Sequence, residues 1–139
     1  MTRYRKHFDK LANEMNVDLI LVVDNAYPND PWGYALLHPY HPERRAVILA
    51  MPPNAPLPYM VGLHELGHCV RGPGWSADLE MDREIAAWEW ALEHARYVPP
   101  ARAARIALES LARSASRPGV EVTEAYKRGR RRIKRAAMN

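Results

Sequence analysis

Residues 64–68 read His-Glu-Leu-Gly-His, so that two histidines stand four positions apart with a glutamate directly after the first. On an α-helix, side chains four residues apart lie one above the other on the same face, and both imidazoles can reach one point in space. Pro56 and Pro58 suit a helix start, and a helical pattern of apolar residues continues up to the Gly-Pro-Gly sequence at 72–74. Both histidines therefore fall inside one predicted helix.

The residue types at these positions indicate metal chemistry. Neutral imidazole binds Zn²⁺ at about 2.0–2.1 Å, and a catalytic site with three protein ligands keeps a position open for water, whose pKa the metal lowers to about 7. A neighbouring carboxylate can accept a proton from water and deliver it to a leaving amine. We therefore expect His64 and His68 to bind zinc, with Glu65 as the general base of a hydrolase.

A third protein ligand has to come from outside the motif. The longer pattern H-E-x-x-H-x-x-G-x-x-H is excluded, because Arg71 stands where its glycine belongs and Gly74 where its last histidine belongs. Residues 78–97 predict a second helix that carries several carboxylates. We expect one of these carboxylates to complete the site.

Glu84 fits the pattern best, with Asp82 and Glu80 as the alternatives. The residues three, four, seven and eleven positions after Glu84 are alanine, tryptophan, alanine and alanine, so its helix face is otherwise small or apolar. A carboxylate on such a face is costly unless it is paired or bound to a metal. The small side chains would also let this helix approach the motif helix closely at Gly62 and Gly67.

Residues 64–68 together with residues 84–91 (Glu-Ile-Ala-Ala-Trp-Glu-Trp-Ala) resemble the signature H-E-[LF]-G-H … E-x-x-A-x-x-[FW]-A of the ImmA/IrrE-like zinc metallopeptidases. The likeness extends from about residue 45 to residue 100. It implies that His64, His68 and Glu84 bind zinc and that Glu65 is the catalytic base. Residues 58–63 depart from the sequence that often precedes the family's first motif. This departure leaves the expected zinc ligands unchanged, but the identity of the substrate does not follow from the resemblance.

The resemblance also implies a function and a partner. Members of the family typically lie in bacterial, phage or mobile-element operons beside a helix-turn-helix repressor, and several inactivate that repressor by cleavage. We therefore expect a zinc-dependent endopeptidase with a protein substrate, for which a helix-turn-helix repressor is the candidate. The alternative is a repressor-binding or nucleic-acid-binding module with a structural or inactive metal site.

The net charge of +4 is concentrated near the carboxyl terminus. Residues 127–135 contain seven basic and no acidic side chains, which leaves 13 basic and 16 acidic residues elsewhere. A solvated basic face explains such a run better than specific contact with nucleic acid, because no aromatic or base-reading residues accompany the arginines. We expect this basic segment to recruit a partner and to be dispensable for zinc binding.

Composition favours one ordinary domain of 139 residues. The single cysteine, Cys69, excludes an internal disulfide and is expected in the core. No apolar segment follows the basic amino terminus, and prolines interrupt the uncharged stretch at residues 47–63, so neither a signal peptide nor a membrane span is predicted. We expect a cytoplasmic protein.

The apolar periodicity predicts an α+β fold with a small antiparallel or mixed three-stranded sheet. This sheet would pack on the motif helix and on the second ligand helix. Residues 1–100 would form the peptidase core, and residues 101–139 a helical extension packed on the same domain. The third strand could hold an extended substrate by edge pairing. Besides the two ligand helices, the predicted elements are helices at 2–16, 101–113 and 123–136, strands at 19–23, 33–37 and 45–50, and a loop at 24–32.

Further candidates lie outside the two motifs. His94 and Tyr97 follow Glu84 on the predicted second helix, where a hydrogen-bond donor could stabilise a tetrahedral oxyanion. His38 and His41 lie in a proline-rich stretch without accompanying acidic or cysteine ligands, and a surface turn explains them. Trp88 is assigned to core packing.

Overall fold

The computed structural model describes residues 1–22, 31–38, 40–41, 43–71 and 79–138. The predicted helices and strands are present, with boundaries that differ by a few residues at most. Most of the predicted loop at 24–32, the last residue of the first predicted strand, the Gly-Pro-Gly sequence at 72–74 and the start of the second ligand helix at 78 lie outside the described residues. In chain order the elements are α1 (Arg3–Glu14), β1 (Asp18–Leu21), β2 (Gly33–Leu37), β3 (Arg45–Leu49), α2 (Pro56–Arg71), α3 (Glu80–His94), α4 (Pro100–Ala115) and α5 (Glu124–Ala137).

The strands form a mixed sheet in the order β1-β3-β2, which confirms the α+β prediction. Strand β3 runs parallel to β1 and antiparallel to β2, so that Val47 is paired with both Leu19 and Ala35. The prediction that the third strand offers an edge to a substrate is therefore wrong. A short apolar run does not reveal whether a strand is central or at an edge, because both can be buried.

Helix α2 packs against the sheet, α1 and α3, and its glycines face different neighbours. A Cβ atom on Gly62 would lie 2.8 Å from Phe8 Cε2 and 3.3 Å from Leu49 Cδ1, so this glycine allows α1 and β3 to pack closely. A Cβ atom on Gly67 would lie 2.5 Å from the backbone oxygen of Ala87 in α3. The predicted close approach to the ligand helix thus occurs at Gly67 and not at Gly62. The two glycines are five residues apart, a turn of about 500°, so they lie on different sides of α2.

Helices α4 and α5 pack against α3 and against each other. In α5 the buried residues are Tyr126, Gly129 and Ile133, and a Cβ atom on Gly129 would lie 2.3 Å from Ile85 Cγ1 of α3. The helix begins after Thr123, whose hydroxyl accepts a hydrogen bond from the amide of Tyr126 at 3.1 Å. The basic segment is therefore one side of a packed helix that contributes to the core.

Arg45 joins the carboxyl ends of two helices to the sheet. Its guanidinium donates to the carbonyl oxygen of Cys69 in α2 at 3.1 Å and to that of Met15 after α1. Cys69 is buried as predicted, and burial raises the pKa of its thiol to about 11. None of the helices in the described part of the chain is long and apolar enough to cross a membrane.

Candidate metal centre

Three predicted ligands converge where α2 crosses α3. His64 Nε2 lies 2.9 Å from Glu84 Oε2, His68 Nε2 lies 3.1 Å from Glu84 Oε1, and the two Nε2 atoms are 3.1 Å apart. All three ligand atoms fall within 4.8 Å of one another. The structure therefore contains a His-His-Glu cluster that could hold a metal ion.

The donor set fits a divalent cation. Burial alone lowers the pKa of His64, but its hydrogen bonds to Glu65 and Glu84 raise that pKa to about 9. Burial alone raises the pKa of the Glu84 carboxyl, but its hydrogen bonds to His64 and His68 bring that pKa below its usual range. The Glu84 carboxylate is thus held ionised beside a positive charge, which protonated His64 supplies here and which a metal ion could supply instead, since a buried carboxylate is unfavourable without a cation.

Trp88 fixes the orientation of the first histidine. It follows Glu84 by one helical turn, and its ring stacks on the His64 imidazole with a centroid distance of 4.4 Å and an interplanar angle of 9°. The indole is buried, which agrees with its predicted core position. Because Trp88 and Glu84 share one face of α3, the same helix supplies a ligand and the surface that holds the other ligand in place.

Glu65 lies beside the cluster without belonging to it. Its Oε1 atom is 3.0 Å from His64 Nδ1, and the side chain is buried. The start of β2 covers it, because a Cβ atom on Gly33 would lie 3.0 Å from Glu65 Cγ. Gly33 is a site residue that the sequence prediction missed, although a glycine at a strand start can signal such a close approach of the backbone.

The cluster opens into a cleft of about 860 Å³. Helices α2 and α3 line its base, and the aromatic residues Trp32 and Tyr34 line the β2 side. Polar residues of α4, among them Ser110 and Arg113, line the opposite side. This second wall was not predicted, because the polar face of a helix that borders a cleft has the same pattern as one that faces solvent.

The predicted oxyanion donors are not part of this cleft. His94 stacks on Trp90, and its Nδ1 atom lies 2.8 Å from the Trp90 carbonyl oxygen. Tyr97 lies beyond the end of α3 and packs against Tyr4 and His7. The sequence prediction placed both residues two to four turns past Glu84, near the reacting centre. His94 lies ten residues after Glu84 and is rotated by about 80° from the Glu84 face, and the helix ends before Tyr97.

The alternative ligands have other partners. Glu80 forms an ion pair with Arg117, and Asp82 accepts a hydrogen bond from Thr123 at the start of α5. His38 and His41 lie together between β2 and β3, where their ring centroids are 4.6 Å apart. Among the described residues, the group that could hold a metal comprises His64, His68 and Glu84.

Comparison of the chain with protein-family models, with curated proteins and with solved structures finds no match.

Proposed function

We propose that this protein is a zinc-dependent endopeptidase of the ImmA/IrrE-like type. The observation that carries the proposal is the meeting of His64, His68 and Glu84 at the base of a cleft, with the buried carboxylate of Glu65 beside them. The resemblance of residues 64–68 and 84–91 to the two motifs of that family supports the same assignment.

Two imidazoles and one carboxylate are the donor set of many catalytic zinc sites. When bound, Zn²⁺ would polarise a substrate carbonyl and make water acidic enough to react near neutral pH. A structural zinc site is closed by four protein ligands, whereas the described residues supply three next to a cleft. The donor set therefore favours catalysis over a purely structural metal.

The remaining chemistry belongs to side chains of the protein. Glu65 would accept the proton of the attacking water and deliver it to the nitrogen of the leaving amine as the peptide bond breaks. Trp88 keeps the His64 imidazole in its ligand orientation, and the glycine at position 33 leaves room for the Glu65 side chain. Trp88 and Gly33 therefore act indirectly, by keeping a ligand and the general base in position.

Strand β2 is the candidate binding strand for an extended substrate. It lies at one edge of the sheet among the described strands, and several of its residues line the cleft. An extended peptide could add to this edge through backbone hydrogen bonds, while the pockets around Trp32 and Tyr34 select side chains. The edge-pairing role expected for β3 is therefore proposed for β2.

The proposed substrate is a protein, with a helix-turn-helix repressor as the candidate. Outside residues 127–135 the chain carries 13 basic and 16 acidic residues, a formal charge of −3. A moderately acidic body would assist the approach of a basic DNA-binding protein. Co-expression with a neighbouring repressor would test the partner, because loss of the repressor with the wild type but not with Glu65→Gln is expected.

The experiment that tests the proposed chemistry combines metal analysis with cleavage of a quenched-fluorescent peptide pool. Wild type, Glu65→Gln and the exposed control Glu43→Gln should each contain one zinc per chain. Glu65→Gln should cleave about 10²–10⁴-fold more slowly, because an amide cannot accept a proton, whereas the control should match wild type. Protein without a transition metal, although never exposed to a chelator, would overturn the zinc assignment. Equal cleavage by Glu65→Gln would overturn the role of Glu65.

A further inference from the structure

Helix α5 has a buried apolar side and an exposed basic side. Its apolar residues pack into the core, whereas all of its lysines and arginines are exposed. Because the buried side fixes the helix to α3 and α4, the cations are held on a folded scaffold. The exposed cations are Lys127, Arg128, Arg130, Arg131, Arg132, Lys134 and Arg135.

Most of these cations have no acidic partner among the residues that the structure describes. Lys127 pairs with Glu124 at 3.2 Å, and Arg132 pairs with Glu89 of α3 at 2.8 Å. No carboxylate of the described part of the chain lies within 4.0 Å of the other five. We call these five residues the basic face: Arg128, Arg130, Arg131, Lys134 and Arg135.

The basic face has a charge density comparable to that of double-stranded nucleic acid. Residues 128–135 span about 12 Å of helix and about 160° of its circumference. Double-stranded DNA carries one negative charge per about 1.7 Å of its axis, so a comparable length presents about seven phosphates. Four of the five cations are arginines, whose planar guanidinium can donate two hydrogen bonds to one phosphate.

We propose that the basic face of α5 binds the phosphate backbone of double-stranded nucleic acid without sequence preference. A membrane surface is disfavoured, because an amphipathic helix binds lipid with its apolar side, and here Tyr126 and Ile133 are buried in the protein. The basic face consists of arginine and lysine, the side chains that contact phosphate, and it carries no amide side chain that would pair with adenine. This proposal is independent of the peptidase proposal, and no residue of α5 lines the cleft.

The test uses the full chain and a short fluorescein-labelled duplex of random sequence. Fluorescence anisotropy measured between about 50 and 200 mM salt gives the dependence of log Kobs on log[salt], which falls by about 0.9 per phosphate contacted. Five contacts predict a slope of about −4 to −5 for wild type. Arg128→Gln/Arg131→Gln/Arg135→Gln should reduce the slope to about −2 and weaken binding at low salt.

The matched control removes three exposed cations from other parts of the molecule, as Lys6→Gln/Lys10→Gln/Arg44→Gln. It should bind like wild type, and circular dichroism should show all three proteins equally folded. The proposal would be overturned if the wild type did not bind the duplex at about 50 mM salt, or if the control lost as much affinity as the α5 variant. It would also be overturned if poly-L-glutamate or anionic lipid vesicles displaced the duplex at equal charge concentration, since the face would then suit an acidic protein or a lipid surface.

Discussion

The Nε2 atom of His64 lies 2.9 Å from Oε2 of Glu84, although the two residues are twenty positions apart and belong to different helices. Their meeting depends on the packing of α2 against α3, which is close where Gly67 faces the backbone of Ala87. The geometry of the candidate metal centre is thus set by a helix–helix contact, and changes at that contact should alter metal binding.

Glu84→Gln should remove most of the bound zinc, because a neutral amide is a poor zinc ligand and leaves two imidazoles as donors. The expected loss of zinc affinity exceeds the roughly 10–100-fold loss that is typical when a residue that hydrogen-bonds to a metal ligand is changed. Elemental analysis and competition with a chelating dye measure it. Asp82→Asn is the matched control, because Asp82 is a neighbouring carboxylate that accepts a hydrogen bond from Thr123, and this variant should retain zinc. Loss of zinc from Asp82→Asn but not from Glu84→Gln would make Asp82 the third ligand.

Gly67→Ala should weaken zinc binding and lower the free energy of unfolding. The new methyl group would lie 2.5 Å from the Ala87 carbonyl oxygen, so α2 and α3 would have to separate, at a cost of about 1–3 kcal/mol. Gly129→Ala is the control, because its methyl group would meet the side chains of Ile85 and Glu89, neither of which is a ligand, and would not separate α2 from α3. It should lose stability but keep zinc. Equal zinc content in both variants would contradict the role of the Gly67 contact.

Gly33→Ala should reduce peptide cleavage while zinc remains bound. Its methyl group would lie 3.0 Å from Glu65 Cγ and 2.8 Å from Leu49 Cδ2, so the Glu65 carboxylate would be displaced. Gly62→Ala also crowds Leu49 but faces Phe8 instead of Glu65. Cleavage rates corrected for the folded fraction should therefore fall for Gly33→Ala and not for Gly62→Ala. A parallel decrease in both variants would show that overpacking alone accounts for the loss.

Zinc binding near pH 7.5 should release about one proton, because the pKa of His64 in the metal-free protein is raised to about 9 and a ligand imidazole must be neutral. The stabilisation from protonated His64 is complete below its unfolded pKa of about 6.5 and is lost as the pH rises through about 9. Calorimetry in two buffers of different ionisation enthalpy counts the protons. Release should fall at higher pH, and His41→Gln should behave like wild type. Zinc uptake without proton release near pH 7.5 would contradict this assignment.

Ile133→Ala should lower the free energy of unfolding by about 2–5 kcal/mol, because the side chain is buried where α5 packs into the core. Arg131→Ala, on the exposed side of the same helix, should change it by no more than about 0.5 kcal/mol. Urea denaturation measures both. Deletion of residues 127–139 should likewise destabilise the protein, whereas the sequence predicted only that this segment is dispensable for zinc binding. Unchanged stability of Ile133→Ala would contradict the packing role of α5.

The sequence alone determined the local parts of this protein. The four-residue spacing of His64 and His68 requires only helical geometry, and the apolar periodicity predicted the order of helices and strands. Glu84 was also within reach of sequence reasoning, because a carboxylate on an otherwise small and apolar helix face indicates a buried partner. These inferences succeed because they depend on residues that are close together in the chain.

Only the tertiary structure decided how these parts meet. It placed β3 at the centre of the sheet, turned His94 away from the cleft, and brought Gly33 against Glu65. It also buried the apolar side of α5, so that residues 127–135 belong to a packed helix. Strand order, helix rotation and close backbone contacts result from packing between residues distant in sequence, and local patterns are compatible with several such packings.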